Sequence, residues 1–343
     1  MLNFNNKGLI KSFIPDFYKG SFMSYKTSLV ISLFMLVLSS CSIIDDVLDI
    51  NSDIDTELGT TPDKLRFVAI GDVGKGNTGQ FKVAQAIEEK CQKDGCDFVL
   101  LLGDNIYSSG VDSLDDEQFQ KKFEEPYKNL EMPFYTVLGN HDYGGSGAGH
   151  EIGKSIHQIR YTEVSSKWRM PRHYYRFLVQ DTMFFAMDTN AQFYKLAKDQ
   201  KKDISGWLSD TDSKWNIAFG HHPYKSNGRH GNAGNYDGVA GLPLASGIEV
   251  KKFAESVWCG KVDLYISGHD HNRQWLSDTC KGTALAVSGA GASVTPLQGS
   301  NPSLFEADTI GLLYVSIDGN TLTAEFIDAD GNLEFTHTIE KAE

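Results

Sequence analysis

The chain has 343 residues, of which 41% are hydrophobic and 22% are charged, a composition typical of a folded globular protein. Its formal net charge is −13, which argues against nucleic acid as a partner because phosphate backbones attract Lys and Arg. The same charge is compatible with a phosphate ester as substrate, since bound metal ions can dominate the local charge of a site.

Residues 1–41 predict a lipoprotein signal peptide. Lys26 supplies a positive charge, residues 29–38 are apolar, and the tetrapeptide LSSC ends at Cys41, the order found in secretory signals. The tetrapeptide resembles a bacterial lipoprotein box, in which the cysteine is lipidated and becomes the mature N-terminus. The apolar run is about half of the ~20 residues that a membrane span needs. We therefore expect an exported bacterial lipoprotein, in the outer membrane, at the cell surface or in the periplasm, with Met23 as an alternative start.

Residues 42–62 are polar and acidic and predict a flexible tether. A folded domain is expected over residues 63–343. Four cysteines remain beyond Cys41, and an oxidising compartment predicts that they form two disulfides. Three pairings are open; proximity in the chain favours Cys91 with Cys96 and Cys259 with Cys280.

The first part of the domain predicts a β-α-β-α-β order, which implies parallel strands with helical crossovers. The first helix is expected to begin at an N-cap at Thr78 and to bury Phe81. The second contains Phe119 and Phe123 and is halted by Pro126.

The second part adds strands over 173–179, 183–188, 284–287, 312–317, 322–327 and 333–337, and helices over 193–208 and 248–258. Asp318-Gly319 and Asp330-Gly331 mark hairpin turns. The elements together predict one α/β domain with two mixed β-sheets packed face to face and helices on the outside.

Five apolar runs end in the same way, each with a glycine followed by an oxygen or nitrogen donor. The runs are residues 66–70, 98–102, 134–138, 215–219 and 262–267, which lead into GDVG, GDNIY, GNHD, GHHP and GHDH. Short apolar runs predict buried strands, and the glycine permits a tight turn. Because ligands bind at the carboxyl ends of strands in open α/β sheets, the five ends predict one shared site.

Seven side chains stand at these strand ends: Asp72, Asp104, Tyr107, Asn140, His221, His269 and His271. Carboxylate, phenol, amide and imidazole form a mixed oxygen and nitrogen set without thiolates, which suits Fe, Mn or Zn. Seven ligands exceed the needs of one four-coordinate ion but suit two ions about 3.5–4 Å apart that share a bridge. Asp104 is central enough to bridge them.

The five strand ends resemble the signature of the calcineurin-like metallophosphoesterases, which have an α/β/β/α sandwich fold. The block GDNIY, with Tyr107, resembles the purple acid phosphatases in particular. Further likeness to their small, tartrate-resistant type lies in WRMPRHYYRF, MDTN, GHHP, SGAGA and the C-terminal strands. The resemblance covers roughly residues 63–343 and implies that this is a metallophosphoesterase catalytic domain.

The resemblance implies a role for each residue of the site. Fe(III) would be held by Asp72, Tyr107 and His271, a divalent ion (Fe, Zn or Mn) by Asn140, His221 and His269, and Asp104 would bridge the two. His141 would hydrogen-bond the phosphate and protonate the leaving group. His230, on a variable loop, would be a second such histidine, and Asp142 would orient His141. His222 is not expected to be a ligand.

The function implied is an acid phosphatase that hydrolyses phosphate monoesters by attack of a metal-bound hydroxide. One alternative is a phosphodiesterase or nucleotidase on the same scaffold with Mn or Zn, against which Tyr107 argues. Another is a non-catalytic surface binding lipoprotein, which predicts a missing ligand, whereas all seven are present. We expect a monomer that acts on a small phosphate ester, binds no nucleic acid and contacts the membrane through the lipid on Cys41.

Overall fold

The computed structural model describes residues 64–196, 198–240, 242 and 244–342. The predicted signal peptide, Cys41 and the acidic tether lie outside the described residues. Among the helices of the described ranges, none has both the length and the apolar character needed to cross a membrane.

The first of two sheets has seven strands and contains the early part of the domain. In spatial order these are β14 (Leu333–Glu340), β13 (Thr321–Asp328), β12 (Gly311–Asp318), β1 (Lys64–Ile70), β2 (Phe98–Leu101), β3 (Phe134–Thr136) and β4 (Trp168–Arg169). Strands β1 to β4 run parallel, as predicted for the first three. The C-terminal strands join them antiparallel through the β1–β12 pair.

The second sheet also has seven strands. Their spatial order is β11 (Ser303–Ala307), β9 (Arg273–Leu276), β10 (Ala284–Ser288), β8 (Leu264–Ser267), β7 (Trp215–Gly220), β6 (Thr182–Met187) and β5 (Tyr175–Val179). The central strands β10, β8, β7 and β6 are parallel, and the outer strands pair antiparallel. Because β7 and β8 are parallel neighbours, the GHHP and GHDH turns leave the same edge of the sheet.

The two sheets pack face to face through aromatic rings. Phe98 of the first sheet lies 5.2 Å from Phe184 and 5.7 Å from Phe177 of the second, measured between ring centroids and in edge-to-face geometry. Alternate residues of β6 point in opposite directions: Phe184 belongs to the core between the sheets, whereas Phe185 packs with Phe253 on the other side. The predicted sandwich of two mixed sheets is confirmed.

Helices cover the outer faces of the sheets. They are α1 (Thr78–Asp94), α2 (Ser155–Arg160), α3 (Asn190–Phe193), α4 (Lys198–Asp210) and α5 (Ile248–Val257), with a π-helical turn at Gln120–Glu124. The turn buries Phe123, and Phe119 just before it stacks on Tyr161. This aromatic packing holds the segment that connects β2 to β3.

Some predicted boundaries are wrong. Asn77, not Thr78, caps α1, because its Oδ1 accepts a hydrogen bond from the backbone N–H of Gln80 at 2.9 Å. Phe81 is 43% exposed, so the apolar face of α1 is carried by smaller side chains. The single helix predicted over 193–208 is two helices, and β4, β9 and β11 were not predicted. All three are short or edge strands, which carry weak sequence patterns.

Both favoured disulfides are confirmed. Cys91 bonds Cys96 and Cys259 bonds Cys280, with Cα–Cα distances of 5.0 and 5.2 Å. The first bridge closes the C-terminal turn of α1, and the second links the end of α5 to the segment before β10. Each disulfide therefore joins an outer helix to a nearby segment of the same chain.

Candidate metal centre

Three of the seven predicted residues adopt the left-handed backbone conformation. The φ angles of Asp72, Asp104 and His269 are 59°, 54° and 69°, a region that costs most non-glycine residues about 1 kcal/mol or more. Each directly follows the glycine that ends a strand segment. A β-carbon on Gly139 would lie 2.2 Å from Asp104 Oδ1, so glycine is needed there for close approach. This backbone conformation directs the donor side chains into the cleft between the sheets.

One half of the site joins Asp72, Tyr107 and His271. The Tyr107 hydroxyl lies 2.9 Å from Asp72 Oδ1 and 2.9 Å from His271 Nε2. His271 Nε2 is also 3.3 Å from Asp72 Oδ1. The second Asp72 oxygen accepts the backbone N–H of His269 at 2.8 Å. Residues 199 positions apart (72 and 271) thus meet through one carboxylate.

The other half centres on His221, which is fully buried. Its Nδ1 lies 2.9 Å from the Leu102 carbonyl, so this nitrogen donates and Nε2 faces inward. Nε2 is 3.0 Å from Asn140 Oδ1 and 3.1 Å from His269 Nδ1. It is also 3.5 Å from Asp104 Oδ1. All four predicted residues of this half are brought together.

The donor atoms fit a metal ion. Ligand atoms of Asp72, Asp104 and His221 lie within 4.8 Å of one another, and all three side chains are buried. His221 Nε2 and Asn140 Oδ1 lie 3.0 Å apart, so both donor atoms can bind the same cation. The donor set, carboxylate with imidazole and amide, suits a hard or borderline metal.

The electrostatics of the cleft also favour a cation. Burial lowers the pKa of His221, but Asp104 and Asp72 more than compensate, and the net pKa is raised. Burial, Asp104 and Asp72 raise the pKa of the Tyr107 hydroxyl well above its usual value. A metal ion would reverse that trend for a phenol bound to it. The buried carboxylates therefore attract positive charge.

His222 lies near the same cluster, since its donor atom groups with those of His221 and His269. Its Nδ1 is 2.8 Å from Thr189 Oγ1. Burial, followed by the nearby His221, holds the pKa of His222 well below its usual value. His222 thus lies beside the donor atoms of His221 and His269, and its exclusion from the ligands stays a prediction.

His141 stands at the mouth of the cleft with 24% of its side chain exposed. Its Nδ1 is 2.6 Å from the Ser108 carbonyl, which directs Nε2 to within 4.0 Å of Asp104 Oδ2. The backbone N–H of His141 donates to Asp104 Oδ1 at 2.9 Å. Asn140, just before it, donates through Nδ2 to the Gly147 carbonyl at 2.8 Å, which turns its oxygen toward His221.

The orienting role predicted for Asp142 is wrong. The Ser108 carbonyl orients His141, whereas the buried Asp142 carboxylate accepts the backbone N–H groups of Gly139 at 2.8 Å and Asn105 at 3.0 Å. Burial, and then Asp104, raise the pKa of Asp142 to about 6. Asp142 thus ties two strand-end turns together. The backbone carbonyl of Ser108 carries no sequence signal that could have revealed it.

His230 belongs to the cluster although its loop is long. Its ring centroid lies 4.1 Å from that of His269. Its backbone N–H donates to Asp270 Oδ1 at 2.8 Å, and its Nδ1 is 2.9 Å from Asp237 Oδ1. Sequence reasoning missed both carboxylates; Asp270 could have been suspected because it stands between the two histidines of GHDH.

The fold and the buried donor cluster define a metallophosphoesterase. The profile of the calcineurin-like phosphoesterase family matches residues 65–273, and the chain belongs to that family. It is 29% identical over 324 residues to tartrate-resistant acid phosphatase type 5 of Oryctolagus cuniculus, covering 82% of this chain and 93% of the relative. It is 29% identical over 323 residues to purple acid phosphatase 4 of Arabidopsis thaliana, covering 83% and 88%.

A solved structure has the same fold. It is GAP50, the anchor in the inner membrane complex of Plasmodium, with a TM-score of 0.64 and 24% identity over 82% of this chain and 90% of that one. The predicted family resemblance and the class of enzyme, a hydrolase of phosphate esters, are confirmed by the family match and the relatives.

Proposed function

We propose that the chain is an acid phosphatase that hydrolyses phosphate monoesters at a binuclear metal centre containing iron. The observation that carries the proposal is the position of the Tyr107 hydroxyl, 2.9 Å from both Asp72 Oδ1 and His271 Nε2. A phenol inside the donor cluster is a ligand for a hard trivalent ion. The acid phosphatases among the relatives support the same conclusion.

Each half of the cluster would hold one ion. Asp72, Tyr107 and His271 would hold iron; Asn140, His221 and His269 would hold a divalent Fe, Zn or Mn; and Asp104, which contacts the second half at 3.5 Å from His221, would bridge. When bound, the two metals supply Lewis acidity toward the phosphate and lower the pKa of water.

The side chains outside the metal ligands would bind the phosphate and move the proton. His141 is placed to give a proton to the leaving oxygen, because Ser108 fixes its Nδ1 and leaves Nε2 directed into the cleft. His230, held by Asp270 and Asp237, is placed to hydrogen-bond a phosphate oxygen. Both histidines are partly exposed, so a substrate can reach them from solvent.

A phosphatase assay tests this proposal. The purified full chain, expressed with iron available, is expected to hydrolyse p-nitrophenyl phosphate at acidic pH and to act much more slowly on bis(p-nitrophenyl) phosphate. His141→Ala should lower kcat by about 100-fold, in the range expected for a general acid. His337→Ala, on β14 and outside the site, is the matched control. Preference for the diester would favour the phosphodiesterase or nucleotidase instead.

We also propose that the protein is exported, anchored through a lipid on Cys41 and monomeric. The LSSC tetrapeptide supports the anchor, and the two disulfides support an oxidising compartment. Labelled palmitate should enter the wild-type chain and not a Cys41→Ala chain. A wild-type chain that stays unlabelled and unprocessed in a bacterial host would contradict the anchor.

A further inference from the structure

Lys75 lies beside two residues of the proposed iron position: it contacts the ring of Tyr107 directly and is linked to His271 through Ser293. Its Nζ is 4.9 Å from the ring centroid of Tyr107 and donates a hydrogen bond to Ser293 Oγ at 2.6 Å. The same Ser293 oxygen is 3.1 Å from His271 Nδ1. A lysine ammonium only donates, and a hydroxyl oxygen has two lone pairs. Ser293 Oγ therefore accepts from Lys75 and also contacts His271 Nδ1, so this one hydroxyl links the ammonium to the imidazole.

The ammonium is held in this place by the backbone around it. The backbone N–H of Lys75 donates to the Val73 carbonyl at 2.7 Å, and that of Tyr107 donates to the Gly74 carbonyl at 2.9 Å. A β-carbon on Gly74 would lie 2.0 Å from the Asn105 carbonyl oxygen. The loop after β1 is thus packed directly on the loop after β2. Lys75 cannot leave the Tyr107 ring without breaking the contact with Ser293.

We infer that Lys75 raises the one-electron reduction potential of the iron by holding a positive charge beside the ring of Tyr107 and behind His271. The inference rests on the proposed function, because it requires iron bound by these residues. A nearby positive charge repels Fe(III) more than Fe(II), so it favours the reduced ion. Reduction adds one electron to Fe(III), and no bond between protein atoms forms or breaks.

The same charge acts on the phenolate. The positive charge stabilises the electrons of the phenolate oxygen and of the aromatic ring. The visible band of a phenolate bound to Fe(III) disappears when the iron is reduced, so it reports the oxidation state of the iron. Removal of the charge is expected to lower the reduction potential.

Two neutral variants of the full chain test the inference. Lys75→Gln keeps a donor for Ser293 and removes only the charge, and Lys75→Met removes both. Each iron-loaded protein is titrated with dithionite in the presence of redox mediators, with the visible band as readout. We expect the equilibrium constant for one-electron reduction to fall at least tenfold in both, which is about 59 mV. Lys75→Arg should behave as the wild type.

Lys82→Met is the matched control, because Lys82 is an exposed lysine of α1 that pairs with Asp330 at 2.6 Å. A wild-type potential in Lys75→Gln would overturn the inference. So would a raised KM for p-nitrophenyl phosphate with the potential unchanged, since Lys75 would then bind the substrate. If the wild-type protein binds no iron, both the proposed function and this inference are overturned. If iron is bound and the potentials of the Lys75 variants equal that of the wild type, only this inference is overturned.

Discussion

The two sheets contribute different chemistry to the one site. The loops of the first sheet supply the oxygen donors: Asp72, Asp104, Tyr107 and Asn140. The loops of the second sheet supply the nitrogen donors: His221, His269 and His271. The carboxylates of the first set carry the negative charge of the cluster. In the second set, protein oxygens contact the outer nitrogens of His221 and His271, namely the Leu102 carbonyl and Ser293 Oγ.

Contacts between the two sets cross from sheet to sheet. Tyr107 meets His271 at 2.9 Å and Asn140 meets His221 at 3.0 Å. Neither sheet contains a complete site, so the sandwich must form before metal can be bound by both sets. Losing a carboxylate therefore removes charge compensation from a buried cation, whereas losing a histidine removes one bond and leaves the charge.

The largest effect is expected for Asp104→Asn, which changes the oxygen donor between the two halves. Loss of a residue that only supports a metal ligand costs 10–100-fold, so loss of a direct bridge should lower kcat/KM by more than about 100-fold. Both metals should be lost together in elemental analysis of the purified protein. Retention of two metals with near wild-type activity would contradict the role of Asp104 as the bridge between the two halves.

A pair of histidine variants tests whether the nitrogen donors serve different ions. His271→Ala is expected to lose the iron and keep the divalent metal, because Nε2 of His271 faces Tyr107 and Asp72. His269→Ala should do the opposite, because its Nδ1 faces His221 at 3.1 Å. The iron and divalent-metal contents of each variant are measured and compared with those of the wild type. Equal loss of both metals in both variants would contradict the two-half assignment.

A smaller effect is expected for Gly147→Ala, in the loop beside the oxygen donors. Gly147 has φ of 93°, and a β-carbon there would lie 2.6 Å from the His141 ring. Its carbonyl also turns Asn140. We expect kcat to fall about tenfold, in line with about 1–2 kcal/mol of strain. Gly153→Ala is the control, because a β-carbon at Gly153 meets nothing within 4 Å; equal behaviour of the two variants would refute the role of Gly147.

The sequence predicted the residues of the site better than it predicted the contacts that hold them in place. Gly-Asp, Gly-Asn and Gly-His at strand ends predicted which donors meet, because parallel strands bring their ends to one edge. The support of His141 by Ser108 and the link from Lys75 to Ser293 join residues 33 and 218 positions apart. Contacts of this kind depend on loop geometry, which leaves no periodic pattern.

Two expectations failed where tertiary packing decided the outcome. Asp142 follows His141 directly, and the family resemblance implied that it orients this histidine. The turn instead directs its carboxylate inward onto the N–H of Asn105. Phe81 is apolar and at the expected helical spacing, but its position on α1 leaves it exposed.

The smallest effect on the site is expected for Asp188, a carboxylate that follows β6 of the nitrogen-donor sheet. Burial raises its pKa to about 6, although a hydrogen bond from Tyr143 lowers it. An unfolded Asp titrates near 3.9, so between about pH 4 and 6 only the native state holds the proton. The contribution of Asp188 to the free energy of unfolding should therefore fall by roughly 3 kcal/mol as pH rises through this window.

Asp188→Asn removes that titration, and denaturant unfolding at pH 4, 5 and 6 should show a shallower pH dependence than the wild type. Metal content should be unchanged, which sets Asp188 apart from the carboxylates of the first sheet. An identical pH dependence in both proteins, or release of metal from the variant, would contradict this distinction.

The most direct test of the account is metal analysis with a visible spectrum of the wild-type chain and of Tyr107→Phe, both expressed with iron available. We expect two metals per chain, at least one of them iron, and a visible band in the wild type that is absent from Tyr107→Phe. Two Mn or Zn ions without a visible band, or a band that persists unchanged in Tyr107→Phe, would contradict the placement of iron on the phenol of Tyr107.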